Sequence, residues 1–197
     1  MNLDQLLAQS REQTKLGRYV KAYVEAQTQP DQVVAKPDLS MRQLAMCMPN
    51  ITLMEVHSDQ NVVYRIAGDN VIARLGMNPT GHNFMDLIPP GERVATATAN
   101  RYCLTHPCGI YLVYDNDYSS GRRMVSESLI LPLRKSTDEP ANLLLGLHIH
   151  HEASGFSPIP GETRLLANLR TASYVDIGAG LPGAEFANPM SVASAVA

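Results

Sequence analysis

The sequence is poor in the features that announce a compartment or a chemistry. Of its 197 residues none is tryptophan and only three are cysteine, at 47, 103 and 108. Three thiols cannot all pair, and their spacings match no zinc-ligand pattern. No secretory signal precedes them, so reduced thiols in a cytoplasmic protein are expected, without disulfides. The longest apolar stretch, LLLGLHI at 143–149, is far short of the ~20 residues a membrane helix needs, so no membrane association is expected. Charge is balanced near a net −3 without a dense Lys/Arg cluster, which argues against phosphate-backbone binding and predicts no nucleic-acid partner. The G-x-S-x-G elbow, the P-loop lysine motif and the H-E-x-x-H zinc helix are all missing, and with them the common hydrolase and nucleotide signatures.

The residues present suit one globular domain with flanking segments: 45% of them are hydrophobic, and a chain of this size buries roughly 70% of its unfolded surface without staples. Leu16, Tyr19, Val20, Tyr23 and Val24 recur on a 3.6-residue period and predict a first helix. Ser10 and Gln13 offer it a capping box. The stripe serves either packing on its own domain or contact with a second copy, and the two uses can coexist. Pro30 and Pro37 interrupt the next segment, and Ser40 with Gln43 caps a short helix, MRQLAMCM, that stops at Pro49.

The period then falls to two. ITLMEVH and NVVYRIA, joined by SDQ, predict an antiparallel hairpin. GDNVIARLG and MNPTGHNFMDLI read as short helical pieces, and PGERVATATANRYCLTH as a longer helix bounded by Pro90 and Pro107. Three strands come next at 109–115, 122–134 and 142–151, then a last helix within PIPGETRLLANLRTASYV and a small-residue tail. Two strands, a helical insert and three strands give an α+β fold. Its boundaries are set at 1–48 for N-terminal flanking helices, 49–152 for the domain and 153–197 for a C-terminal helix and tail.

MPNITLMEV at 48–56, then Tyr64, Arg65, Ile66 and Gly68, then Gly76, Thr80 and Gly81 form an ordered set of motifs. Together they resemble the PAS sensor family, and within it the short single-domain bacterial proteins that carry L-P-x-I-x-L-x-E-V, Y-R-I-x-G and T-G motifs. The resemblance runs from about Tyr19, where those relatives have Trp, to His151. It implies a PAS-like five-stranded antiparallel sheet with a helical insert between strands 2 and 3 and an N-terminal flanking helix. Glycines 68, 76 and 81 are expected to permit the turns of that insert, positive φ included.

The family fold also implies a cavity between insert and sheet for a small molecule or cofactor, whose presence the strands pass to flanking helices. Its expected lining is Ile72, Leu75, Phe84, Leu87, Tyr102, Ile110, Leu112 and Leu145, each equally suited to plain core. Leu16, Tyr19, Val20, Tyr23 and Val24 of the flanking helix, with the outer sheet face, are the expected site of homodimer contact. The function implied is that of a cytoplasmic, non-enzymatic sensory module signalling through a downstream protein, with an adaptor of self-filled core or a small enzyme as alternatives.

Candidate chemistry is thin. Photosensory relatives with flavin carry a reactive Cys in G-x-N-C, whereas here GHNF places Phe84 at that position, and Phe forms no sulfur adduct. Haem-binding relatives ligate through a His of the long helix, which has none, with His106 only at its end. His106, Cys103 and Cys108 suggest a nucleophile and base, but helix-end packing explains them as well. His148 and His150 share one strand face opposite Leu143, Leu145, Leu147 and Ile149. The leucine face is assigned to the core below the insert and the histidines to the outer side, without a metal. No cofactor is identifiable. Tyr64 and Arg65 point to opposite faces, and Glu55 is the acid available to Arg65.

Overall fold

The structure, a computed structural model, describes residues 1–9, 14–29, 32–151, 159, 162 and 164–181. Helices α1 (Leu3–Gln9), α2 (Lys15–Ala26) and α3 (Met41–Leu44) precede the hairpin β1 (Ile51–Ser58) and β2 (Asn61–Ala67). Helices α4 (Asp69–Leu75) and α5 (Arg93–Thr105) form the insert, followed by β3 (Cys108–Tyr118), β4 (Arg123–Arg134), β5 (Ala141–His151) and β6 (Arg164–Asp176). Among the described residues the strands make one antiparallel sheet in the order β2-β1-β5-β4-β3-β6.

The sixth strand corrects the sequence expectation of five strands and a C-terminal helix. The segment 164–176 is extended and pairs with β3 from Cys108↔Asp176 to Tyr118↔Arg164. Its leucines are spaced to read as helical, but the outer edge of β3 otherwise leaves a long row of backbone donors and acceptors unpaired, and satisfying them decides the conformation. The expected tail lies outside the described residues from 182 onward, as does the Ser10–Gln13 capping box. Thr14 caps α2 instead, its side chain accepting from Gly17 N at 3.1 Å. Ser40 caps α3 as its sequence predicts, accepting from Gln43 N at 3.4 Å.

Both faces of the sheet are covered. On the reverse face, Leu129, Leu131 and Leu133 of β4 and Leu143, Leu145 and Leu147 of β5 pack under Leu3, Leu6, Tyr19, Val20, Tyr23 and Leu44. Burying side chains of this size stabilises the fold by roughly 1.5–3 kcal/mol each. Tyr19 OH donates to Leu145 O at 2.7 Å and Tyr23 OH to Pro132 O at 2.9 Å. Of the two uses the stripe could serve, packing on its own domain is the one seen here: Tyr19, Val20 and Tyr23 are fully buried against the sheet, and Leu16 and Val24 are partly so.

The chain turns off the hairpin at Gly68 for a reason other than the one its sequence suggests. Its φ is an ordinary −74°, yet a Cβ there would lie 2.1 Å from Met48 O and 2.5 Å from Pro49 C. The requirement is close approach of backbone. Gly76 and Gly81, at φ 70° and 86°, do take the left-handed conformation.

Candidate functional site

On the second face, α5 crosses β3, β4 and β5, while the 3₁₀ turn Phe84–Leu87 lies against β2. Even-numbered residues of β3, β4 and β5 point under this roof, because side chains alternate along a strand. The roof and sheet line a partly open cavity of about 470 Å³, within the range that holds small ligands. One part of its wall is apolar: Met54, Tyr64, Val71, Phe84, Leu87, Ile110 and Ile130. Tyr64 meets Phe84 edge to face with ring centroids 5.8 Å apart. Arg65 takes the opposite, exposed face, where its Nε donates to Glu55 at 2.7 Å and holds that carboxyl below the usual carboxylate range.

The rest of the floor is polar and organised by the two histidines. His148 Nε2 lies 2.9 Å from Thr52 Oγ1, and its Nδ1 2.7 Å from Ser128 Oγ, which lies 3.0 Å from Tyr114 OH. His150 Nδ1 contacts Ser126 Oγ and its Nε2 lies 3.0 Å from Tyr118 OH, while Asn116 Nδ2 donates to Ser126 Oγ at 2.6 Å. Both ring nitrogens of each histidine are therefore engaged by hydroxyls, and the rings are fixed in orientation. Arg74 of α4, itself buried, donates from Nη2 to the carbonyl of His148 at 3.1 Å and ties roof to floor.

This reverses the assignment of the two faces of β5. His148 and His150 line the cavity and the odd-numbered leucines lie under the N-terminal helices. Apolarity fails to choose the inward face because each face of this sheet is roofed by helices. Of the residues expected to line the cavity, Leu75, Phe84, Leu87, Ile110 and Leu112 do so, whereas Ile72 and Tyr102 do not. Leu145 belongs to the reverse face. Tyr102 instead meets Tyr174 of β6 edge to face at 6.5 Å.

Sequence reasoning missed the polar lining residues Thr52, Asn100, Tyr114, Asn116, Ser128, His148 and His150 and, among the apolar ones, Met54, Tyr64, Val71 and Ile130. The signal of the polar ones was available as three adjacent strands, YDNDY, SES and HIH, each carrying polar groups two residues apart. Leu169 and Ala172 also line the cavity and were hidden by the helical reading of β6.

The cysteine cluster offers no thiolate. Cys103 Sγ donates to Cys108 O at 2.8 Å, and both thiols are buried, as is Cys47. Burial pushes the Cys103 thiol well up and that of Cys108 up to about 12, with the Asp176 charge adding to the latter. Exposed His106 is 3.4 Å from Thr105 Oγ1. Among the described residues no group of three or more His, Cys, Asp or Glu is placed to hold a metal ion. No described helix is long and apolar enough to cross a membrane.

Helices arched over one face of an antiparallel sheet, with a chamber between, define an α+β architecture of the sensory-module type. The chain belongs to the PAS domain family: a family model described as PAS domain matches residues 13–149. Among solved structures, VqmA of Vibrio cholerae in complex with ligand and DNA is 14% identical with a TM-score of 0.41, over 57% of this chain and 51% of that one. This chain therefore spans about half the length of VqmA in that structure. RsLOV D109G is 14% identical at a TM-score of 0.40, over 75% and 74% of the two chains. An RNA-binding light-oxygen-voltage receptor is 18% identical at 0.39, over 76% and 48%. The ligand, DNA and RNA binding belong to those proteins. No curated protein matches the sequence.

Proposed function

We propose that this PAS protein is a non-enzymatic cytoplasmic sensory module that holds a small molecule in its cavity and passes occupancy to a partner protein. The observation that carries the reading is the cavity itself, about 470 Å³ with an apolar part of its wall and a hydrogen-bonded polar part of its floor. A core filled by its own side chains closes such a volume, since interiors pack to crystal-like density. Strand β5 supplies a route outward. His148 faces the chamber, and on the other side of the same strand Leu145 O accepts from Tyr19 of α2. Buried neutral thiols and histidines locked between hydroxyls speak against the enzyme alternative. Unpaired cysteines support the cytoplasm.

Native mass spectrometry of freshly purified protein tests this. A mass above that of the bare chain, lost on unfolding, is expected. Bare-chain masses alone, from monomer or dimer, would turn the reading toward an interaction module.

A further inference from the structure

Thr52, His148, Ser128 and Tyr114 form one chain of hydrogen bonds across β1, β5, β4 and β3. Counting protons gives that chain a direction. Among the described residues the Thr52 hydroxyl has His148 as its only hydrogen-bond partner, and Thr52 is 1% exposed. A Thr52 proton aimed anywhere but at His148 Nε2 is buried and unmatched, which is costly. Thr52 therefore donates and Nε2 accepts. A neutral imidazole then carries its hydrogen on Nδ1 and donates to Ser128. A doubly protonated ring is disfavoured on the same count, since it leaves the Thr52 proton without an acceptor. Ser128 is itself buried, and its proton passes to Tyr114. The Tyr114 hydroxyl accepts from Ser128, and its own proton is left over. Tyr114 is half-buried on the roofed face of β3 and lines the chamber, so that proton points to the chamber side.

Resting on the sensory reading above, we infer that the chamber takes a small molecule whose apolar body carries a hydrogen-bond acceptor, such as a ketone or ester carbonyl, and that Tyr114 Oη donates to it. Each member of a hydrogen-bonded chain polarises the next, so the terminal phenol is a stronger donor than an isolated one. An apolar surface is within reach of the same group. Tyr114 Oη lies 3.0 Å from Ser128 Oγ, Ser128 pairs with Leu112, and the next roofed pair along, Ile110 with Ile130, is about 7 Å further. That is the length of a one-ring molecule. A hydrocarbon of the same shape displaces water from Tyr114 and leaves its proton unmatched. Thr52, His148 and Ser128 are positioning residues that aim the proton of Tyr114.

Two readouts on the full chain test this. Imidazole nitrogen resonances at neutral pH are expected to show His148 with its hydrogen on Nδ1 and a bare Nε2. Hydrogen on Nε2 overturns the direction of the chain and with it the assignment. The second readout titrates the wild type and Tyr114→Phe with acetophenone and α-methylstyrene, which share one shape and differ only in C=O against C=CH2. Methyl resonances of Ile110, Leu112 and Ile130 report entry into the chamber. Tyr114→Phe is expected to weaken acetophenone by about tenfold while α-methylstyrene binds the variant as tightly as the wild type or tighter. Retained α-methylstyrene binding shows that the variant is folded. Acetophenone indifferent to Tyr114→Phe, or both probes weakened alike, overturns the assignment while the chamber reading stands. Wild-type methyl resonances that neither probe moves overturn both.

Discussion

Thr52 Oγ1 and His148 Nε2 meet at 2.9 Å in the space that a side chain at position 146 would occupy. A Cβ on Gly146 would lie 2.7 Å from the first atom and 2.8 Å from the second. Glycine in the middle of β5 weakens a strand in isolation. Here it makes room for a hydrogen bond that joins β1 to β5 across the cavity floor. Gly146→Ala is expected to destabilise the protein by on the order of 1–3 kcal/mol, the range for overpacking. Adding Thr52→Ala should recover part of that loss, since the two changes share one space and cannot be additive. Urea denaturation of the two single variants and the double decides it, and strict additivity would refute the shared-space account.

Gly68 and Gly76 bracket α4 and are needed for different reasons, which predicts unequal costs. Alanine at 68 drives a Cβ to 2.1 Å from the Met48 carbonyl oxygen, a backbone atom that cannot swing aside. A loss of roughly 3 kcal/mol or more, or failure to fold, is expected. Alanine at 76 meets nothing closer than 3.8 Å and suffers only the left-handed φ, costing ~1 kcal/mol. Comparable midpoints in urea for the two variants would contradict this.

Tyr19 and Tyr23 fasten α2 to two different strands through buried hydroxyls. Tyr19→Phe and Tyr23→Phe each strip a donor from a buried carbonyl and should lower stability by about 1–3 kcal/mol. Because the rings stay in place, the quaternary state seen by sedimentation should not change. A dissociated assembly in either variant would show that these residues hold two copies together.

The cysteines predict a pH dependence on the alkaline side. The folded-state pKa of Cys108, about 12, lies above the ~8.5 of an unfolded thiol. The neutral thiol therefore favours the folded state. Its contribution is complete below pH ~8.5 and is lost as pH rises through the folded-state value. Cys108→Ala should flatten the fall in stability across that window. At neutral pH a thiol reagent should label native Cys103 and Cys108 only as fast as the protein opens. Rapid labelling of either would restore the nucleophile alternative.

Much of the fold is legible in the residues because local rules act together there. The β1–β2 hairpin, the α4–α5 insert and the strands β3, β4 and β5 follow from period, turn chemistry and prolines at helix ends. Position 164–176 is where that reasoning fails, because its leucine spacing is local while the unfilled edge of β3 that claims it is not. The site fails for a related reason. Choosing Leu145 over His148 as the inward residue takes the more apolar face for the one under the insert, and that criterion fails because α1 and α2 bury the leucine face on the reverse side. Ile72 and Tyr102 miss the cavity by helical phase, which periodicity fixes too loosely to place a single side chain.

The most direct test of the central claim is an electron-density map of the protein crystallised as purified, without added ligand. The account predicts connected non-protein density between α5 and the cavity-facing side of β3, β4 and β5. Side chains of α4 and α5 collapsed into that space, leaving no void, would contradict it.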